Sequence, residues 1–145
     1  MHIRRDVLEA ITAHARQEHP RECCGILISA GGEIVEAVAV ANTADDPLRC
    51  YQVSPADHIA QIKRCRESAA RRPDSPLQIA GVYHSHPHSA PVPSPTDRDQ
   101  AYPEYLYVIV GPADGSTSLE VRAYRLDAEG FVEVQLTPTP AADAG

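Results

Sequence analysis

The chain has 145 residues, 43% of them hydrophobic and 23% charged, which is the size and composition of a single globular domain. Its 20 acidic residues outnumber its 13 basic ones, and the formal charge of −7 argues against nucleic acid as a partner, because phosphate-binding surfaces carry excess positive charge. No apolar run approaches the roughly 20 residues of a membrane span, and the N-terminus does not resemble a secretory signal, so we expect a cytoplasmic protein that does not enter membranes.

Two long helices are predicted from apolar residues that recur at helical spacing. The first covers about residues 6–19 and ends at Pro20. The second begins at Ser54, with serine as the N-cap and Pro55 as the first helical residue, and it runs to about Arg72. Its inner face is predicted to consist of Ile59, Ile62 and Ala69.

Short apolar runs between turn residues predict the strands, and Gly31-Gly32 marks a hairpin between the first two. The predicted strands cover residues 24–29, 34–40, 50–53, 77–84, 105–110, 119–126 and 131–136. The run at 105–110 is apolar throughout, which indicates a central strand buried on both faces.

The order of these elements predicts an α/β fold, with one mixed β-sheet flanked by helices in a single domain over residues 1–136. Residues 137–145 have nothing to bury and are predicted to form a disordered C-terminal tail. The four cysteines lack the Cys-x-x-Cys spacing of zinc and redox motifs, so they are interpreted as small buried side chains of a cytosolic protein.

The segment from 84 to 97 carries the residues with the clearest chemical meaning. His84 and His86 lie two apart, which on a strand directs both imidazoles to one face, and Asp97 follows after a proline-rich loop. Two nitrogen ligands and one oxygen ligand suit a catalytic Zn²⁺ site with one open position. The pattern therefore predicts one Zn²⁺ per chain.

The strength of this pattern lies in its joint spacing. Seven histidines in 145 positions give an expectation of roughly one third of a chance His-x-His pair, so the pair alone is weak. Requiring the later serine and aspartate at fixed positions lowers the expectation to on the order of one in a thousand. Ser94, Pro95 and Asp97 also read as an ordinary helix start, with N-cap, N1 and N3 residues. The two interpretations are compatible, because a helix start can orient Asp97.

The residues leave the catalytic base undecided. No glutamate adjoins the histidines, so a base for a metal-activated water must come from elsewhere in the chain. Glu22 lies where the first helix ends and a buried strand begins, and the competing glutamates are Glu9, Glu33, Glu36 and Glu104. His88 is interpreted as a solvated loop residue, with a supporting or substrate-binding role as the alternative, and Asp99 is an alternative carboxylate.

At this point the chain resembles the JAMM (MPN+) metallopeptidases. Their signature is a distant glutamate, then His-x-His-Pro, and, seven residues after the second histidine, Ser-x-x-Asp. Residues 84–97 match this spacing, and residues 20–27 resemble the family segment that carries the glutamate. The resemblance implies that His84, His86 and Asp97 bind zinc. It further implies that Glu22 is the general acid and base and that Ser94 stabilises the oxyanion.

The resemblance also implies a cytidine-deaminase-like fold and a function. A zinc metallopeptidase or isopeptidase of this kind cleaves after the C-terminal glycine of a ubiquitin-like protein. The short chain is most similar to the small prokaryotic members, some of which act on adducts of ubiquitin-like sulfur carriers, so a sulfur-carrier-type partner is predicted. The sequence does not distinguish a monomer from a homodimer.

Two other functions compete with this one. A zinc nucleobase deaminase requires His-x-Glu and Pro-Cys-x-x-Cys motifs, and the chain contains neither. A non-catalytic MPN-type scaffold that only binds proteins is the remaining alternative. It is disfavoured because the chain keeps all three ligand residues and the glutamate.

Overall fold

The computed structural model describes residues 1–114 and 116–141, which form three helices and eight strands. The helices are α1 (Arg5–Glu18), α2 (Pro55–Arg71) and α3 (Pro95–Asp99). The strands are β1 (His2–Arg4), β2 (Cys24–Ala30), β3 (Glu33–Val40), β4 (Gln78–Ser85), β5 (Leu106–Pro112), β6 (Leu119–Asp127), β7 (Gly130–Val134) and β8 (Thr137–Thr139). No helix among these residues combines the length and apolarity needed to cross a membrane.

The strands form one mixed sheet in the order β7-β6-β5-β4-β2-β3-β1-β8. Strand β4 lies near its centre, antiparallel to β2 and parallel to β5. The β2–β3 hairpin turns at Gly31 and Gly32, which both have positive φ, as such a turn requires. The mixed sheet flanked by helices confirms the fold predicted from the sequence.

Helix α1 covers one face of the sheet and forms the main core. Its buried residues Val7 and Ile11 pack in a cluster with Leu27, Tyr83 and Val108 from the central strands. Because side chains alternate along a strand, the neighbours of Tyr83 in β4 face the opposite side of the sheet. Strand β5 is buried from Leu106 to Gly111, as expected for a central strand with both faces covered.

Helix α2 lies on the second face and packs more loosely than predicted. Ser54 caps it by accepting a hydrogen bond from the Asp57 N–H, which confirms the predicted start. The predicted inner face is wrong at two of its three positions, because Ile59 is 58% exposed and Ala69 is also exposed, whereas Ile62 is half-buried. Within α2 only Ser68 is buried, and its hydroxyl accepts a hydrogen bond from the Leu77 N–H. Polar groups therefore contribute to the attachment of this helix.

The chain end and one loop differ from the prediction. Thr137–Thr139 form strand β8, which pairs in parallel with β1 and covers the edge that β1 would otherwise form. The disordered tail predicted from residue 137 is therefore wrong for these residues, and residues 142–145 lie outside the described part. Residues 50–53 form no strand, and only an isolated bridge joins Asn42 to Val53.

Candidate functional site

The two histidines lie where β4 ends. His84 is in the strand and completely buried, on the face opposite to Tyr83. His86 follows the strand, and its N–H donates to the Val110 carbonyl at 2.8 Å, which extends the pairing with β5. The His86 Nδ1 lies 2.9 Å from the carbonyl oxygen of Ala90. Because a carbonyl only accepts, this nitrogen carries the proton and leaves Nε2 free to bind a metal.

Helix α3 brings the third residue to the histidines. Ser94 is its N-cap and forms a capping box, in which its hydroxyl accepts from the Asp97 N–H at 3.1 Å. In return the Ser94 N–H donates to the Asp97 carboxylate at 2.8 Å. The helix-start and ligand interpretations therefore hold together, since the capping box orients the carboxylate toward the imidazoles.

The side chains of His84, His86 and Asp97, which we call the metal group, form a triangle of close contacts. The His84 and His86 Nε2 atoms lie 3.2 Å apart, and they lie 3.2 Å from the Oδ1 and the Oδ2 of Asp97, respectively. Tetrahedral zinc with bonds of about 2.0–2.1 Å separates its ligand atoms by roughly 3.3 Å. The side chain of Asp97 is only 9% exposed, so the group is largely dry. Donor type and spacing both fit a divalent metal with three protein ligands.

The charges within the triangle depend on one another. Burial raises the pKa of Asp97, but hydrogen bonds from both imidazoles outweigh it and hold this pKa far below its usual range. Burial lowers the pKa of His84 despite the carboxylate. Burial also lowers the pKa of the less enclosed His86, but there the carboxylate prevails and the pKa is raised. Asp97 is thus ionised and His84 neutral, which are the forms that bind metal, whereas the raised pKa of His86 means that its Nε2 proton must leave before this nitrogen can bind a metal.

Glu22 lies beside the triangle, just before β2. It is 8% exposed and lines a pocket of about 130 Å³ together with His86, Ser94 and Asp97. Burial raises the pKa of its carboxyl to about 7, with His86 opposing the shift and Asp97 adding to it. A carboxyl with a pKa near neutrality can both accept and release a proton under ordinary conditions.

Backbone contacts from two other segments fix the position of Glu22. Its N–H donates to the Pro47 carbonyl at 2.7 Å. The next residue, Cys23, donates its N–H to the Ser85 hydroxyl at 2.8 Å and accepts from the Ser85 N–H at 3.1 Å. Ser85, the residue between the two histidines, therefore connects the segment that carries Glu22 to strand β4. The sequence pattern did not predict this role.

The competing residues lie elsewhere. Glu9 and Glu104 are exposed, Glu36 pairs with Arg64 at 2.6 Å, and Glu33 accepts a hydrogen bond from Thr139. None of these four lines the pocket. His88 is exposed, with its ring packed edge-on against His19 at 5.1 Å, and Asp99 is also exposed.

Tyr51 was not singled out from the sequence, yet it contacts the metal group directly. Its ring stacks on that of His84, with the ring centres 4.2 Å apart and the planes at 15°. The Nδ1 atom of His84 is buried and, within the described residues, has no hydrogen-bond partner. The only sequence signal for this contact is an aromatic residue in an otherwise polar loop.

Comparison with known proteins agrees with this geometry. The sequence model of the prokaryotic homologues of the JAB domain matches residues 4–127. A desampylase of Haloferax volcanii is 36% identical over 122 residues, which cover 79% of this chain and 83% of the relative. A CysO-cysteine peptidase of Mycobacterium tuberculosis is 32% identical over 126 residues, covering 86% of this chain and 81% of the relative.

Solved structures share the fold at lower identity. Protein DSY2949 from Desulfitobacterium hafniense superimposes with a TM-score of 0.79 at 22% identity, covering 96% of this chain and 92% of the other. A structure described as JAMM, a metalloprotease-like zinc site in the proteasome and signalosome, gives a TM-score of 0.55 at 20% identity, covering 96% and 97%. These similarities confirm the JAMM/MPN fold expected from the sequence.

Proposed function

The chain belongs to the prokaryotic homologues of the JAB domain, the small members of the JAMM (MPN+) family, and from this we propose that it is a zinc-dependent peptidase or isopeptidase. It is a hydrolase of the JAMM type, like the relatives named desampylase and CysO-cysteine peptidase. The observation that carries the proposal is the group of His84, His86 and Asp97, two of which line one small pocket together with Glu22.

His84, His86 and Asp97 are the proposed metal ligands. They form the one group of three or more potential donors found among the described residues, so we propose one Zn²⁺ per chain. When bound there, zinc supplies Lewis acidity at the scissile carbonyl and lowers the pKa of a water toward neutrality. The hydrogen bond from His86 Nδ1 to Ala90 and the capping box on Asp97 fix two of the three ligands before the metal arrives.

Glu22 is the proposed general acid and base. Its carboxylate takes a proton from the attacking water and later delivers it to the nitrogen of the leaving amine. The raised pKa suits both steps, because the carboxyl changes protonation state near neutral pH. Ser94 is proposed to donate a hydrogen bond from its hydroxyl to the developing oxyanion. Since this hydroxyl accepts from the Asp97 N–H in the capping box, its own hydrogen is free to point into the pocket.

The proposed substrate is a peptide or isopeptide bond after the C-terminal glycine of a ubiquitin-like protein of the sulfur-carrier type. The names of the two relatives support this class. The small pocket at Glu22 also suits glycine, which has no side chain to accommodate. A non-catalytic scaffold would have no use for a buried base beside three metal ligands, and no specific observation favours that alternative.

We propose a cytoplasmic location for the protein. All four cysteines carry free thiols, as expected in a reducing compartment. Every proposed site residue comes from one chain, so a monomer would suffice for activity, and a homodimer remains compatible with it.

The test is cleavage of a ubiquitin-like protein fused through its C-terminal glycine to a short peptide. We expect wild type to cleave and Glu22→Gln to lose activity by at least about 100-fold, since general acid–base catalysis typically contributes 10²–10⁴-fold. Glu22→Gln should still bind zinc, which metal analysis would verify. The matched control is Glu9→Gln, an exposed acid on α1, which should keep full activity. Equal activity of wild type and Glu22→Gln would remove Glu22 from the mechanism.

A further inference from the structure

One side chain outside the metal group joins both halves of the site. Asn42 follows β3, and its amide makes four hydrogen bonds, all to backbone groups. Its Nδ2 donates to the carbonyl of Glu22 at 2.9 Å and to that of Cys50 at 3.0 Å. Its Oδ1 accepts from the N–H groups of Ala44 and Gln52, each at 3.0 Å. Four bonds match the full capacity of an amide, two donated and two accepted.

The side-chain amide of Asn42 can form these four hydrogen bonds in only one of its two orientations. Turning the amide over would point its NH₂ at two N–H donors and its oxygen at two carbonyls, so that all four contacts would be repulsive. The side chain is partly buried, where unmade hydrogen bonds are costly. The Asn42 amide therefore holds the segment that carries Glu22 and the loop over 42–53 together in one arrangement.

The hydrogen bonds of Asn42 to the loop connect it with the metal group. Asn42 bonds to the residues on either side of Tyr51, namely Cys50 and Gln52. The Tyr51 ring lies stacked on His84, whose Nδ1 has no partner among the described residues. Metal-binding histidines are ordinarily oriented by a hydrogen bond at the second ring nitrogen. At His84, the stacked ring of Tyr51 also restricts the orientation of the imidazole.

We propose that Asn42 is a positioning residue that sets Glu22 and, through Tyr51, the ring of His84 in their working places. The inference rests on the proposed function for its kinetic consequence, but its effect on metal binding stands independently. Asn42 lies outside the lining of the pocket at Glu22, so it acts through other residues and does not touch the reacting atoms.

The experiment compares Asn42→Ala and Asn42→Asp with Thr43→Val. Asn42→Asp keeps the two accepted bonds and loses the two donated ones, which include the bond to Glu22. The control Thr43→Val removes a hydroxyl that bonds to Gln52 at 3.2 Å in the same loop without contacting Glu22. Three quantities are measured, namely zinc affinity by competition with a chelator, and kcat and KM on the ubiquitin-like fusion. Circular dichroism verifies folding.

We expect both Asn42 variants to lose about 10- to 100-fold in kcat and about 10-fold in zinc affinity, with KM changing much less. Thr43→Val should match wild type in all three quantities. Asn42 variants that match Thr43→Val in kcat and zinc affinity would overturn the inference, and so would failure of both variants to fold, because Asn42 would then serve the whole fold. If wild type cleaves no fusion but zinc affinity falls as expected, the proposed function fails and the positioning role stands.

Discussion

Ser94 performs two tasks with one hydroxyl. Its oxygen caps α3 by accepting from the Asp97 N–H, while its hydrogen is available to the pocket. These tasks are separable by substitution, because glycine is a tolerable N-cap and alanine is a poor one. Neither substitute provides a hydroxyl.

We predict that Ser94→Ala and Ser94→Gly lose kcat equally but differ in stability. Loss of an oxyanion donor typically costs 10²–10³-fold in kcat, and we expect this in both variants. Loss of the cap costs about 1 kcal/mol in the alanine variant and only a few tenths in the glycine variant. Steady-state kinetics and urea denaturation measure the two effects. Unequal kcat values that follow the stability order would show that Ser94 acts only as a cap.

At the scale of residues, the sequence predicts the candidate metal ligands better than the residues that hold them in position. The spacing of His84, His86 and Asp97 predicted three donor side chains that the structure brings together. The residues alone left Glu22 among several glutamates, because a glutamate 62 residues before the first histidine has no local pattern, and the family resemblance selected it as the proposed base. Ser85 and Tyr51 were missed, since their contacts cross between segments far apart in the chain.

At the scale of elements, the pairing of β2 with β4 brings Glu22, just before β2, close to the histidines at the end of β4. Gly25 pairs with Tyr83 across these strands. A Cβ at Gly25 would lie 2.1 Å from the Tyr83 ring, which is buried and whose hydroxyl lies 2.7 Å from His14. The ring thus occupies space that a side chain at position 25 would need.

We predict that Gly25→Ala destabilises the protein by about 1–3 kcal/mol, the usual cost of overpacking a close-packed core. The tyrosine ring must move or the strands must separate, and both disturb the start of β2. Urea denaturation measures the loss, and reduced kcat in the folded fraction would report the shift at Glu22. A variant as stable as wild type would contradict the close contact.

The pattern of apolar residues predicted most helices and strands but missed the elements that are too short or too polar to show one. The continuous apolar run over 105–110 correctly predicted that β5 is a central strand buried on both faces. Strands β1 and β8 have three residues each, too few to show a period of two. The inner face of α2 was predicted from apolar residues, of which only Ile62 is half-buried, while Ser68 and the ion pair of Arg64 with Glu36 add polar contacts. An apolar pattern does not show such polar contacts.

At the scale of the whole molecule, the metal group is expected to contribute to stability. Its donors lie at the end of β4 and the start of α3, so a bound ion would join two elements of the fold. A ligand that binds only the folded state at about 100 times its Kd stabilises that state by about 2.7 kcal/mol.

We therefore predict that zinc raises the Tm of chelator-treated protein by about 5–10 °C, given the usual sensitivity of Tm for a domain of this size. Differential scanning calorimetry with and without zinc measures the shift. Magnesium serves as the control and should have little effect, because it prefers six oxygen ligands over imidazole nitrogen. An unchanged Tm on zinc addition would contradict metal binding at this site.

The pairing of His86 with Val110 also bears on when a newly made chain becomes a protease. All proposed catalytic side chains have been synthesised once Asp97 is added, but the backbone of His86 is held by a residue 24 positions later. Until β5 has left the ribosome and joined β4, the backbone of His86 lacks this hydrogen bond. We therefore expect a nascent chain to gain hydrolytic activity only after β5 has paired with β4.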